Sequence, residues 1–395
     1  EPVVGTFRTA PRADQQRPVR FVVGGDLGGQ QYCRSADKGG YTIFSAIASL
    51  GPDFFVANGD MIYADGDCPE QGPSGWRNIP GDFPSVASPS VDWTRAELVR
   101  EIFRQHWRYN RADEHFQRLL RVAPVYAQWD DHEVANDFGA QWQYWNPAQA
   151  SRAGFATLVQ EGREAFFQYN PIDRNPQEPN RIYRSFRWGR DMELFVVDGR
   201  SYRSRNDEPD GPSKTMLGSE QLAWLKQELT RSTATWKVVS MDVPISIPTG
   251  GDAARNGRDG WANGTDPDAS ARTGFEYELA DLLRFLDARD VKNLVFVTTD
   301  VHFAATIRYE LDADGDGDTL VFHELVSGPL NAGTGRLRNL DPTFQPVLLY
   351  TEGNLFNFAY VRIQPGPDGR PWLVADVRGE DGRPRPGSLL EVEPR

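Results

Sequence analysis

Six hydrophobic runs in this sequence end in aspartate: Asp26, Asp60, the pair Asp130 and Asp131, Asp198, Asp242 and Asp300. Arg200 follows Asp198 by two residues. Two of the five histidines stand among these acids, His132 in W-D-D-H-E and His302 in T-T-D-V-H-F, and Tyr63 closes the run G-D-M-I-Y that begins before Asp60. In open α/β sheets ligands bind beyond the carboxyl ends of the strands, so these acids are expected to converge. Like charges at close range repel by about a few kcal/mol per pair, even at an effective dielectric near 20. Protonation or bound cations must offset that repulsion, and hard cations with oxygen ligands are the natural solution. A tyrosine among the ligands points to a ferric ion, because a hard trivalent ion can hold a phenolate near neutral pH. Asp300 and His302 are two apart and would share one face of an extended chain, which is metal-ligand spacing. Any one strand-end aspartate taken alone is more often a turn or helix cap. The set as a whole, with its histidines, points to a metal centre.

Composition narrows the chemistry further. Five histidines and two cysteines, Cys33 and Cys68, are too few for a centre built mainly from imidazoles or from four thiolates. The net charge of −13 over 395 residues argues against non-specific binding to nucleic acid or to anionic membranes, so neither is expected as a partner. No apolar run reaches the roughly 18 residues of a membrane-spanning helix. No G-x-S-x-G or P-loop pattern supplies a rival catalytic motif. The oligomeric state is not indicated.

Hydrophobic periodicity supplies the elements that must carry these residues. Residues 19–29 and 52–63 read as strands flanking a helix at 41–50, a βαβ unit with a parallel pair. Residues 64–93 form a long Gly-, Pro- and Ser-rich loop. Two amphipathic helices are predicted over 91–124, then a short strand and acidic loop over 125–138, and a helix near 151–169. Strands at 191–203 and 235–245 alternate with helices at 219–232, where Ser219 is the expected cap, and 274–290. Residues 291–311 read as one long strand interrupted by an acidic turn, and the C-terminal third is rich in strands. The order favours a layered α/β or α+β core.

The motifs G-D-L-G-G, N-G-D-M-I-Y-A-D, W-D-D-H-E-V-A-N-D-F, V-D-G-R-S-Y-R, M-L-G-S-E-Q-L-A-W-L, W-K-V-V-S and T-T-D-V-H-F occur in this order. Together they resemble the PhoD-type alkaline phosphatase and phosphodiesterase family, within the calcineurin-like metallophosphoesterases, over about residues 5–363. The resemblance implies a four-layer fold, two mixed β-sheets packed face to face and flanked by helices. It implies export to the periplasm or medium. Family members often begin with a small β-sandwich domain, whose last strand G-T-F-R-T-A-P at 5–11 resembles. Residues 1–18 are therefore expected to be one short strand and linker left from that domain, with 19–395 the catalytic domain.

Carried over residue by residue, the resemblance implies that Asp60 bridges two metals. Tyr63 and His302 would join it at the first, an iron(III) site, with Asp26 at the end of the first strand. Asp131 and Asp300 would hold the second, a calcium ion, with Asp242 a further candidate; zinc or manganese are alternatives for either. Arg200 is implied as a phosphate ligand, and His132 as the group that protonates the leaving alcohol or holds a non-bridging oxygen. The family pattern has cysteine where this chain has Asp26, which makes the site harder and leaves the identity of the iron open. Cys33 and Cys68 flank two site loops, either as a disulfide pinning them, which suits an exported protein, or as two free thiols.

The expected activity is hydrolysis of phosphate esters by a metal-activated hydroxide. One alternative is a phosphodiesterase specialised for nucleotides, lipid headgroups or teichoic-acid-like polymers. Another, of a different class, is a non-catalytic calcium-stabilised binding module. D-A-D-G-D-G-D at 312–318 resembles the start of a calcium loop and equally a solvated hairpin tip. His106, His115, Trp129 and Trp261 are expected to be structural.

Overall fold

The computed structural model describes residues 4–139, 152–250, 256–265 and 272–395. Strand β1 (Val19–Gly24) sends Val19, Phe21 and Val23 to one buried face and Val22 to the other, and β2 (Phe54–Asn58) does the same with Phe54 and Val56 against Phe55 and Ala57. A strand buried on both faces reads as a continuous apolar run, as these do. Helix α1 (Ile43–Ser49) crosses between them, and the strands pair in parallel with Phe21 opposite Phe54. The connection to β3 (Val125–Gln128), again parallel, carries α2 (Ala96–Arg111) and α3 (Glu114–Leu120). Asp113 caps α3 by accepting from the N–H groups of His115 and Phe116, both at 3.0 Å. Helix α4 (Arg152–Tyr169) packs on α2.

Next come β4 (Arg184–Trp188), β5 (Met192–Val196), α5 (Gly218–Arg231), β6 (Trp236–Ser240), α6 (Glu276–Asp287), β7 (Leu294–Thr298), β8 (Ala304–Leu311) and β9 (Leu320–Val326). The chain ends in β10 (Val347–Glu352), β11 (Asn357–Pro365), β12 (Pro371–Gly379) and β13 (Leu390–Val392). A six-stranded sheet runs β13-β12-β11-β1-β2-β3, and a seven-stranded sheet runs β10-β8-β9-β7-β6-β5-β4. Both are mixed. Phe21, Val56 and Val361 of the first meet Leu194, Val238 and Val297 of the second in one apolar core. The outer face of the first sheet packs against α1 to α4 and that of the second against α5 and α6, which completes four layers. Near one end the sheets are also joined by polar groups. Ser240 Oγ donates to Gln128 Oε1 at 2.6 Å, and Asn58 Nδ2 donates to the carbonyl of Met241 at 2.9 Å.

Several local expectations differ from the structure. The expected single strand over 291–311 is two strands separated in the sheet by β9, because the backbone turns back at Asp300 (φ 72°) and His302 (φ 60°). The extended-chain argument for that pair therefore does not apply. β4 was not expected, since Arg184 and Arg187 interrupt its hydrophobic pattern; nor was β13, which has three residues. Helix α5 begins one residue earlier than Ser219, with Leu217 at the N-cap, so Ser219 lies in the first turn. Residues 1–3 lie outside the described residues. Residues 4–18, apart from a turn, are irregular and form no strand; the Thr6 N–H donates to the Arg121 carbonyl at 2.8 Å.

Candidate metal centre

The residues after β1, β2, β3 and β7 meet at one end of the two sheets. Asp26, Asp60 and Asp300 all lie just past strand ends with positive φ, 59°, 53° and 72°. Non-glycine residues rarely adopt this conformation, aspartate more readily than most, and it concentrates at functional sites. Interlocking loops hold these turns. The Leu27 N–H donates to the Asp60 carbonyl at 2.7 Å, and the Asn331 N–H to the Asp26 carbonyl at 3.1 Å. The Glu133 carboxylate accepts from the N–H groups of Asp60 (2.9 Å), Met61 (2.8 Å) and Asp130 (2.8 Å). Two glycines make room. A Cβ on Gly59 (φ 93°) would lie 2.4 Å from Asp130 Cβ, and one on Gly328 (φ 110°) would lie 2.2 Å from Asp26 Oδ2.

Ligand atoms come together in overlapping groups, each within 4.8 Å: Asp26, Asp60 and His302; Asp60, Asp131 and His132; Asp130, Asp131 and Asp300; and Asp131, Asp137 and Asp259. Tyr63 adjoins the first, its hydroxyl 3.0 Å from His302 Nε2. The His302 Nδ1 is hydrogen-bonded to the Gly333 carbonyl, which directs Nε2 toward the carboxylates. The ring of His132 stacks on that of Tyr63 at 4.0 Å, its Nδ1 lies 2.6 Å from Asp65 Oδ1, and its backbone N–H donates to Asp60 Oδ1 at 3.0 Å.

The electrostatics of this cluster favour cations. Burial pushes Asp26 up to about 8, with Asp131 adding to the rise and His132 opposing it. Burial, then Asp131 and Asp130, holds Asp60 well above the carboxylate range, and burial, then Asp259 and Asp131, does the same to Asp300. Burial pulls His302 down to about 4, so its imidazole is neutral and fit to ligate. Burial opposes charge on His132, but Asp65 and Asp131 outweigh it and lift the ring to about 10. Both carboxylate oxygens of Asp26, Oδ2 of Asp130 and Oδ1 of Asp131 are buried without hydrogen-bond partners. Buried polar oxygens without partners are costly, and multivalent cations would satisfy them. By donor type and by these orphaned oxygens, the residues fit hard metal ions.

The structure thus brings together Asp26, Asp60, Tyr63, Asp131, His132, Asp300 and His302. It places Asp242 and Arg200 differently from their expected roles. Arg200 has no exposed surface: its Nη1 and Nη2 donate to the two oxygens of Asp259, each at 2.7 Å, and its Nε to Asp130 Oδ1 at 2.7 Å. Asp242 lies 3.2 Å from the same guanidinium and belongs to none of the ligand groups. A guanidinium surrounded by carboxylates positions those carboxylates, and it has no N–H left facing a phosphate. Asp198 accepts from Trp129 Nε1 at 2.9 Å and is also a framework residue.

Four contributors escaped the sequence reading. Asp65 and Glu133 lie inside the motifs already singled out, and Asp137 six residues past Asp131. Their positions in acidic segments were the available signal. Asp259, in N-G-R-D-G-W, follows no strand and gave none. Cys33 and Cys68 form a disulfide, with Cα atoms 5.8 Å apart. At 312–318, Asp312 accepts from the N–H groups of Gly315 (2.7 Å) and Gly317 (3.2 Å), and Asp287, Asp312 and Asp314 bring ligand atoms within 4.8 Å of one another, so the segment is both a turn and a group of acids that could hold an ion. Trp129, Trp261 and His106 are buried.

The profile of the PhoD-like phosphatase family matches residues 21–359. Alkaline phosphatase D of Bacillus subtilis is 24% identical over 316 residues, 76% of this chain and 50% of that protein. The chain thus spans half the length of this curated relative. Among solved structures, PhoD superposes with a TM-score of 0.68 at 18% identity, over 99% of this chain and 74% of that one. A purple acid phosphatase from yellow lupin seeds superposes with a TM-score of 0.56 at 12% identity, over 98% of this chain and 55% of its own. At these identities the two structures speak to the four-layer fold.

Proposed function

The chain belongs to the PhoD-like phosphatase family, and from that premise we propose that it hydrolyses phosphate esters at a centre of two or more metal ions. The observation that carries this reading is the gathering of buried carboxylates with Tyr63, His132 and His302, Asp26 keeping both oxygens unpartnered. In this reading Asp26, Asp60, Tyr63 and His302 hold one ion, and Asp60, Asp130, Asp131 and Asp300 a second. The phenol and imidazole suit iron(III), and the all-carboxylate group suits calcium. Bound there, the cations supply neutralisation of the phosphoryl oxygens and acidification of an attacking water.

The chain's own residues do the rest. His132, oriented by Asp65 through Nδ1, carries a proton at Nε2 and delivers it to the departing alkoxide. Arg200 and Glu133 fix the carboxylates and their loops. The disulfide supports an exported protein. A calcium-stabilised binding module would not require Tyr63, His132 and His302 in one place.

The test is elemental analysis of the purified protein together with hydrolysis of a mono- and a diester. Asp60→Asn should abolish turnover and lower bound metal. Full turnover at normal metal content in that variant would refute the assignment. An absorption band near roughly 500–560 nm, from phenolate bound to iron(III), would support Tyr63 as a ligand.

A further inference from the structure

A cavity of about 580 Å³ lies across Arg200 from the carboxylate cluster, lined among others by Phe138, Phe155, Arg163, Glu164, Arg200 and Ser201. Its position follows from two connections. Arg200, part of its wall, binds Asp130 and Asp259, and Arg163 stacks 5.1 Å over Trp129, the residue preceding Asp130. The cavity is thus about one side chain away from the metal-ligand groups.

Arg163 is the unusual member. Its hydrogen bond is a long one, Nη2 to Ser201 Oγ at 3.4 Å, and its buried Nε has no partner. The acids nearest to it on α4 are committed elsewhere: Glu161 to Arg100, and Glu164 to Arg174 at 2.9 Å. Among the described residues, no carboxylate pairs with Arg163. A partly buried guanidinium without a counter-ion, in a protein of net charge −13, is a poor arrangement unless an anion is brought to it. Its fork of N–H donors matches phosphate or carboxylate, and the Ser201 hydroxyl adds one further donor.

We propose that Arg163 and Ser201 form an anion subsite across Arg200 from the metal centre, which takes a second negatively charged group of the substrate. This rests on the phosphate-ester reading above. It assigns the protein a preference for substrates bearing two anionic groups, a bisphosphate or a phosphate ester with a carboxylate, over those with an uncharged alcohol.

The test is calorimetric binding of propane-1,3-bisphosphonate and of propylphosphonate to the metal-loaded protein. The two share a carbon chain and differ in the second charge. The intact protein should favour the bisphosphonate, and Arg163→Gln should reduce that preference by roughly tenfold, the worth of one charged hydrogen bond. Arg163→Lys, which keeps the charge, should retain part of it. A preference unchanged in Arg163→Gln, or an equal weakening of both ligands, overturns the subsite. If the intact protein binds neither phosphonate, the metal-centre reading fails first and the subsite falls with it.

Discussion

The Glu133 carboxylate holds three backbone N–H groups, those of Asp60, Met61 and Asp130. Residues that orient metal ligands commonly matter about 10- to 100-fold in metal affinity or activity. Glu133→Ala should lower both by that order while the far-UV circular dichroism stays native, as metal titration and turnover would record. Arg200 makes a different case. Replacing it by Met leaves Asp130 and Asp259 buried without their cation, and breaking such a pair costs about 3–5 kcal/mol. Arg200→Met should therefore shift the denaturant midpoint strongly; a wild-type midpoint with only a raised KM would restore the phosphate-ligand role. Gly328 is constrained by space, since a Cβ would strike Asp26 Oδ2. Gly328→Ala should weaken metal binding through displacement of Asp26, measurable by competition with a chelator.

At the scale of elements, two loops deliver most of the first ligand group, and one covalent link joins them. Cys33 lies on the loop after Asp26, and Cys68 five residues beyond Tyr63, 35 residues apart in sequence. A loop of that size corresponds to roughly 3–4 kcal/mol of stabilisation in the chain-entropy account. Cys33→Ser with Cys68→Ser should lose about that much in chemical denaturation and weaken metal binding, because the loops would no longer be held in register. The turn at Asp300 to His302 was legible as acidic and metal-bearing but not as a reversal. Its flanks read as β-strand, and a positive φ at a non-glycine residue leaves no hydrophobic signature.

Across the whole molecule, two buried histidines outside the ligand groups oppose folding in acid. Burial lowers His106 from 6.5 to about 4, opposed by the Pro84 carbonyl that meets its Nε2. Burial also lowers His323 to about 4, with Arg308 and Arg395 adding to the effect. Each ring is protonated near pH 6.5 when unfolded but stays neutral in the fold. The part of the stability that these two rings govern is therefore full above pH 6.5 and falls as the pH drops toward 4, by on the order of a few kcal/mol in all. His106→Gln and His323→Gln should each flatten the decline in a series of denaturation curves between pH 7 and 4. A slope unchanged in both variants would remove these rings from the account.

Sequence alone determined the opening βαβ unit, most of the later strands and helices, and the strand-end acids, because burial on both faces of a parallel strand imposes a local pattern that can be read along the chain; the four layers came only with the family resemblance. It also marked Tyr63, His132 and His302 as companions of those acids. Only the tertiary structure decided which acids gather into groups that could hold an ion and which are paired with a cation of the protein. Asp131 and Asp242 look alike in sequence, yet one joins three ligand groups and the other lies against Arg200. Asp259 reaches the cluster from an irregular segment that no periodicity marks. The physical reason is that electrostatic roles depend on distances between segments far apart in the chain. Those distances are set when the two sheets pack on one another.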